Sequence, residues 1–111
     1  MIKATIFVNH NLINSFCIEG HANSGPYGHD IVCAAVSALS IATVNGICNI
    51  AGVHPQVTSD KIHGGFLALR VPKGLNPRQS LQVQTLLKSM ANALEGITKR
   101  YARFIKFRID S

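Results

Sequence analysis

A thiol and an imidazole flank a short glycine-containing loop: His21 follows Gly20, the loop carries Gly25 and Gly28, and Cys33 lies just past Asp30. Asp30 directly precedes a long apolar run, where a helix N-cap belongs. With Asp30 as cap, Cys33 is the third helical residue, where backbone N–H groups lack intrahelical partners and the helix dipole favours negative charge. A thiol there has its pKa lowered, and the thiolate is the nucleophilic form. His21 supplies the base or counter-cation that a Cys/His nucleophilic site requires. The same N–H groups offer a site for an oxyanion. The chemistry expected of this stretch is therefore nucleophilic catalysis: Cys33 and His21 rest as an ion pair, the favoured reading, if the helix N–H groups and the imidazolium prevail, and the thiol stays neutral if the opposing charge of Asp30 does.

Neighbouring residues carry two readings each. Asp30 is a helix cap, and its carboxylate is also of the type that orients a catalytic histidine. Ser37, one turn beyond Cys33 on the same face, either lines the pocket or packs on its own helix. Gly25 and Gly28 read as a loop that admits an extended peptide and closes over it. Gly25-Pro26-Tyr27-Gly28 lacks the lysine and glycine spacing of a phosphate-binding loop. His10, His21, His29 and Cys33 do not have zinc-ligand spacing, and neither a metal nor a cofactor is expected.

The run Gly20-His21-Ala22, then Gly25 and Gly28, then Asp30-Ile31-Val32-Cys33-Ala34-Ala35-Val36-Ser37-Ala38-Leu39 resembles the signature of the bacterial ribosomal-processing cysteine proteases called Prp. The resemblance implies a cysteine endopeptidase that removes a short N-terminal extension from a large-subunit ribosomal protein. It places the histidine of that family on His21 and its nucleophile on Cys33, and it implies a homodimer. The rival reading is a basic RNA- or ribosome-binding module in which Cys33 is merely buried.

Positioning such a pair requires a strand end and a helix start held side by side. Ile2, Ala4, Ile6 and Val8 alternate with Lys3, Thr5, Phe7 and Asn9, which is a strand period. Asn9-His10-Asn11 predicts a turn into a second strand, Leu12 to Glu19, with Asn14, Phe16 and Ile18 on one side and His21 just past its end. The alanine-rich helix starts near Ile31; Gly46 is a possible break, and Gly52 with Pro55 ends it. A short strand at Gln56–Ser59 precedes a longer one at Ile62–Val71, with Gly64-Gly65 read as a bulge. Asn76-Pro77 predicts the start of a second helix. Its core stripe is Val83, Leu86, Leu87, Met90, Leu94 and Ile97. Tyr101–Ile109 alternates again as a final strand. The expected fold is α+β, ββαββαβ, a mostly antiparallel sheet with two main helices packed on it.

At 111 residues the chain is expected to be a single domain, residues 1–111, with a core that needs no staples. Only 14% of residues are charged, which suggests apolar surface shared with a partner such as a second copy. The net charge of +6 favours acidic partners, and the basic segment Lys99 to Arg108 mixes charge with aromatics as surfaces for single-stranded RNA do. The plainer reading of that segment is a solvated strand face. Three cysteines without a CxxC pair argue for a reducing compartment, and the N-terminal segment is not expected to act as a signal peptide. The run from Ile31 to Ile50 approaches the length of a membrane span. Ser37, Ser40, Thr43, Asn45, Gly46 and Asn49 interrupt it, so a buried helix of a cytoplasmic protein is expected.

Overall fold

The computed structural model describes residues 1–23, 25, 30–60 and 62–111. Strands β1 (Ile2–Asn9) and β2 (Leu12–Glu19) form a hairpin. Its two turn residues, His10 and Asn11, have φ of 54° and 63°, the left-handed pair whose twist matches that of the flanking strands. Helix α1 (Ile31–Asn49) follows, then β3 (Gln56–Ser59), β4 (Phe66–Arg70), helix α2 (Pro77–Arg100) and β5 (Ile105–Asp110). The five strands form one sheet in the order β3-β4-β2-β1-β5, antiparallel except for the parallel β1–β5 pair. The fold is thus α+β with the ββαββαβ order expected.

The core lies between the sheet and the two helices. β1 contributes Ile2, Ala4 and Ile6; β2 contributes Ile13, Phe16 and Ile18; α2 contributes Val83, Leu87, Met90 and Leu94. The expectation that Asn14 shares a face with Phe16 and Ile18 is corrected to Ile13. The register shifts between Phe7, which pairs with Ser15, and Val8, which pairs with Ile13. Asn14 is therefore the extra residue of a bulge, and the change of phase turns Ile13 inward. The Gln84 carboxamide of α2 fills the gap in the ladder: Oε1 accepts from the Ile13 N–H and Nε2 donates to the Ile13 carbonyl, both at 2.8 Å.

α1 buries one stripe, Val32, Val36, Ser40, Thr43, Gly46 and Ile47, rather than its whole surface. The Ser40 and Thr43 hydroxyls donate back to the carbonyls of Val36 and Leu39 at 2.8 Å each, so their burial leaves no donor stranded. Mean hydropathy is 2.0, and the helix is long and apolar enough to cross a membrane, yet it is folded against the core on this stripe. Its other side exposes Ile31, Ala34, Ala35, Ala38 and Ala42. Gly46 does not break the helix. A Cβ there would lie 3.2 Å from Cδ2 of Leu86, so the glycine is where α1 and α2 approach closely. The helix ends as expected, with Gly52 in the left-handed region at φ +64°.

Two strand boundaries also move. β4 begins at Phe66 rather than Ile62, because the Asp60 carboxylate accepts the N–H groups of Ile62 (3.0 Å) and His63 (2.9 Å) and folds them into a turn. Gly64 and Gly65 link that turn to the strand and are not a bulge within it. β5 begins at Ile105 rather than Tyr101, since α2 runs to Arg100 and the Phe104 N–H bonds to the Tyr101 carbonyl at 2.9 Å in a tight turn. Tyr101, Phe104 and Phe107 pack against the core while Lys106 and Arg108 stay exposed. The start of α2 is as expected, with Pro77 at its first turn. The Asn76 side chain accepts from the Gln79 N–H (2.8 Å), and the Gln79 side chain accepts from the Asn76 N–H (3.1 Å).

Candidate active site

β2 delivers the chain to the site through Gly20. This residue sits at φ +93°, its N–H donates to the Gly65 carbonyl at 2.8 Å, and a Cβ on it would strike the Met1 carbonyl. The carbonyl of the next residue, His21, accepts from the Met1 amino nitrogen at 2.6 Å. Ala22 is buried, and its N–H donates to Cys33 Sγ at 3.2 Å. On the far side of the loop, Asp30 is the N-cap of α1: its Oδ1 accepts from the Cys33 N–H at 2.9 Å. The strand end and the helix tip are thus tied through the cysteine itself.

Two clefts meet at this point. One, of about 550 Å³, runs between α1 and the turn before β4, with Ile2, Ile18, Val36, Ile41 and Ile62 among its walls. The other, of about 510 Å³, includes Asn23, Gly25 and Asp30. His21, Cys33 and Ser37 line both. Of the residues singled out in the sequence, the structure therefore gathers Cys33, His21, Ser37, Asp30 and Gly25. Gly28 and His29 lie outside the described residues. Cys17 and Cys48 are half-buried free thiols that line neither cleft. Among the described residues, no group of three His, Cys, Asp or Glu side chains forms a metal cluster.

The electrostatics correct one expectation. Burial pushes the Cys33 thiol above its ordinary value, and the Ala22 N–H pulls it down. The Asp30 carboxylate pushes it up again by hydrogen bond and by charge, and the Asn23 N–H pulls it down. The net direction is upward, which favours a neutral resting thiol over the ion pair. The helix N–H groups nearest the sulfur are also committed: that of Cys33 to the Asp30 carboxylate, and that of Ala34 to the Asp30 carbonyl at 3.0 Å. The sequence reading missed the donors on the other side of the loop, the N–H groups of Ala22 and Asn23. Asn23 stands at φ +56°, a conformation that asparagine tolerates better than most residues. Its identity is the one signal that could have marked a backbone turn toward the sulfur.

The family model described as cysteine protease Prp matches residues 1–106. The chain is 36% identical over 102 residues to the ribosomal processing cysteine protease Prp of Bacillus subtilis, covering 91% of this chain and 90% of that one. Among solved structures, it is similar to the essential ribosomal processing protease Prp of S. aureus in complex with a covalently linked product peptide. That likeness has a TM-score of 0.89 at 32% identity and covers 99% of this chain and 100% of that one. The same S. aureus protease in complex with a substrate peptide gives a TM-score of 0.83 at 30% identity, over 99% of this chain and 100% of that one.

Proposed function

The chain belongs to the cysteine protease Prp family, and we propose that it removes an N-terminal extension from a large-subunit ribosomal protein with Cys33 as nucleophile and His21 as base. The observation that carries this reading is the meeting of two clefts at His21 and Cys33, with the Ala22 N–H aimed at the sulfur. An extended peptide laid from one cleft into the other presents a carbonyl to Cys33. The cleft with isoleucine and valine walls takes apolar side chains of that peptide.

Because the resting thiol is neutral, His21 acts as a general base at the moment of attack. It takes the Sγ proton as sulfur bonds to the carbonyl carbon and the carbonyl π pair moves to oxygen. Main-chain N–H groups around the sulfur, that of Ala22 among them, face the developing negative charge. Collapse of the tetrahedral species expels the amine, which receives the proton from His21. A water molecule, deprotonated by the same imidazole, then hydrolyses the thioester. Asp30 holds Cys33 in place through the cap and adds to the upward push of burial on the thiol's proton affinity, and Ser37 offers a hydroxyl to the peptide from the shared wall of both clefts.

Three free cysteines and a ribosomal-protein substrate support a cytoplasmic protein. The exposed apolar side of α1 supports a homodimer. The test of function is the intact mass of the extended ribosomal protein after incubation with the enzyme. A product shortened at its N-terminus is expected, and an unchanged mass overturns the reading.

A further inference from the structure

We propose that Gly65 is a positioning residue for His21: its missing side chain forms the seat on which the imidazole lies. This rests on the role assigned to His21 above. A Cβ built on Gly65 would lie 2.6 Å from Nε2, 3.0 Å from Cε1 and 3.1 Å from Cδ2 of His21. These atoms belong to one side of a rigid ring, so the imidazole rests directly over the glycine. No alanine fits beneath it without displacing the ring.

The ring has little freedom to yield by translation, because the main chain around it is pinned. The Gly20 N–H is bonded to the carbonyl of Gly65 itself, the His21 carbonyl accepts from Met1, and the Ala22 N–H reaches Cys33 Sγ. The residue that forms the seat therefore also anchors the strand end that carries the histidine. What remains to an intruding methyl group is to rotate the imidazole about its side-chain torsions, away from the sulfur and the peptide. The effect is particular to this position. A Cβ on the preceding Gly64 would lie 3.9 Å from Cε1, an ordinary contact.

Gly65 also stands at φ +72°, so a substitution strains the backbone as well as filling the seat. Gly74 separates the two effects. It has φ +78° with nothing within 4 Å of its Cβ position, far along the chain in the loop before α2. Gly74→Ala thus brings the strain without the intrusion.

The experiment measures kcat and KM for cleavage of the extended ribosomal protein by wild type, Gly65→Ala, Gly74→Ala, His21→Ala and the His21→Ala/Gly65→Ala double variant. It also records nuclear Overhauser contacts between the Gly65 α-protons and the His21 ring protons in the wild type. Gly65→Ala is expected to lower kcat by about a hundredfold, the scale of a positioned general base, with KM little changed. Gly74→Ala keeps the wild-type kcat, and Gly65→Ala has no further effect once His21 is gone. A folded Gly65→Ala enzyme with wild-type kcat overturns the proposal, as does an equal loss in the His21→Ala background. The proton contacts are expected whether or not the enzyme cleaves and whether or not the variant folds, and their absence overturns the seat. A wild type that shows the contacts without cleaving would sink the proteolytic reading and leave the seat standing.

Discussion

At Cys33, effects of opposite sign converge on one sulfur. Burial and the Asp30 carboxylate favour the thiol, while the N–H groups of Ala22 and Asn23 favour the thiolate. The net direction is upward, so cleavage is expected to quicken as pH rises into the alkaline range. Asp30→Asn tests the balance cleanly, because asparagine caps a helix about as well as aspartate. The substitution removes an upward push without removing the cap. Iodoacetamide labelling of Cys33 is therefore expected to shift to lower pH, with the thermal midpoint little changed. A profile that stays in place or moves to higher pH would show that the carboxylate does not set the thiol's proton affinity. The two residue types and their placement beside a helix start were legible in the sequence. The sign of the thiol's shift was not, because it depends on how close a capping carboxylate comes to the sulfur and how deeply the helix tip is buried.

Among the elements, the hairpin and α2 depend on each other through Gln84. Its carboxamide satisfies both main-chain groups of Ile13 where the bulge interrupts the ladder. Gln84→Ala leaves a donor and an acceptor buried without partners, and the expected loss in a urea titration is about 2–4 kcal/mol. A loss within a few tenths of a kcal/mol would mean that water takes over both bonds. α2 itself was readable because one apolar stripe repeats at helical spacing and Asn76-Pro77 marks its start. The bulge at Asn14 was not, since it arises from pairing with β1 and leaves no mark on the local alternation. The late start of β4 has a similar origin. Residues 62–65 follow Asp60, whose carboxylate holds Ile62 and His63 in a turn that the apolar pattern alone does not disclose. That turn is also what brings Gly65 beneath His21.

At the scale of the whole molecule, α1 presents one face to the core and leaves a stripe of Ile31 and small alanines on the other. A single chain gains nothing from exposing that stripe, and a second copy would cover it. Light scattering is expected to give twice the 12.0 kDa mass of the chain. Ala38→Glu, which puts a charge in the middle of the exposed stripe, is expected to give the monomer with its fold intact. An unaltered mass for that variant would place the contact elsewhere. Composition pointed toward shared apolar surface, but the face that carries it became visible only once α1 was seen against the sheet. The account as a whole stands on Cys33, and the most direct measurement is cleavage of the extended ribosomal protein by wild type and Cys33→Ala side by side, with thermal midpoints taken on the same samples. The prediction is a shortened product with wild type and none with a Cys33→Ala protein of nearly unchanged midpoint, whereas cleavage by that variant at close to the wild-type rate would contradict it.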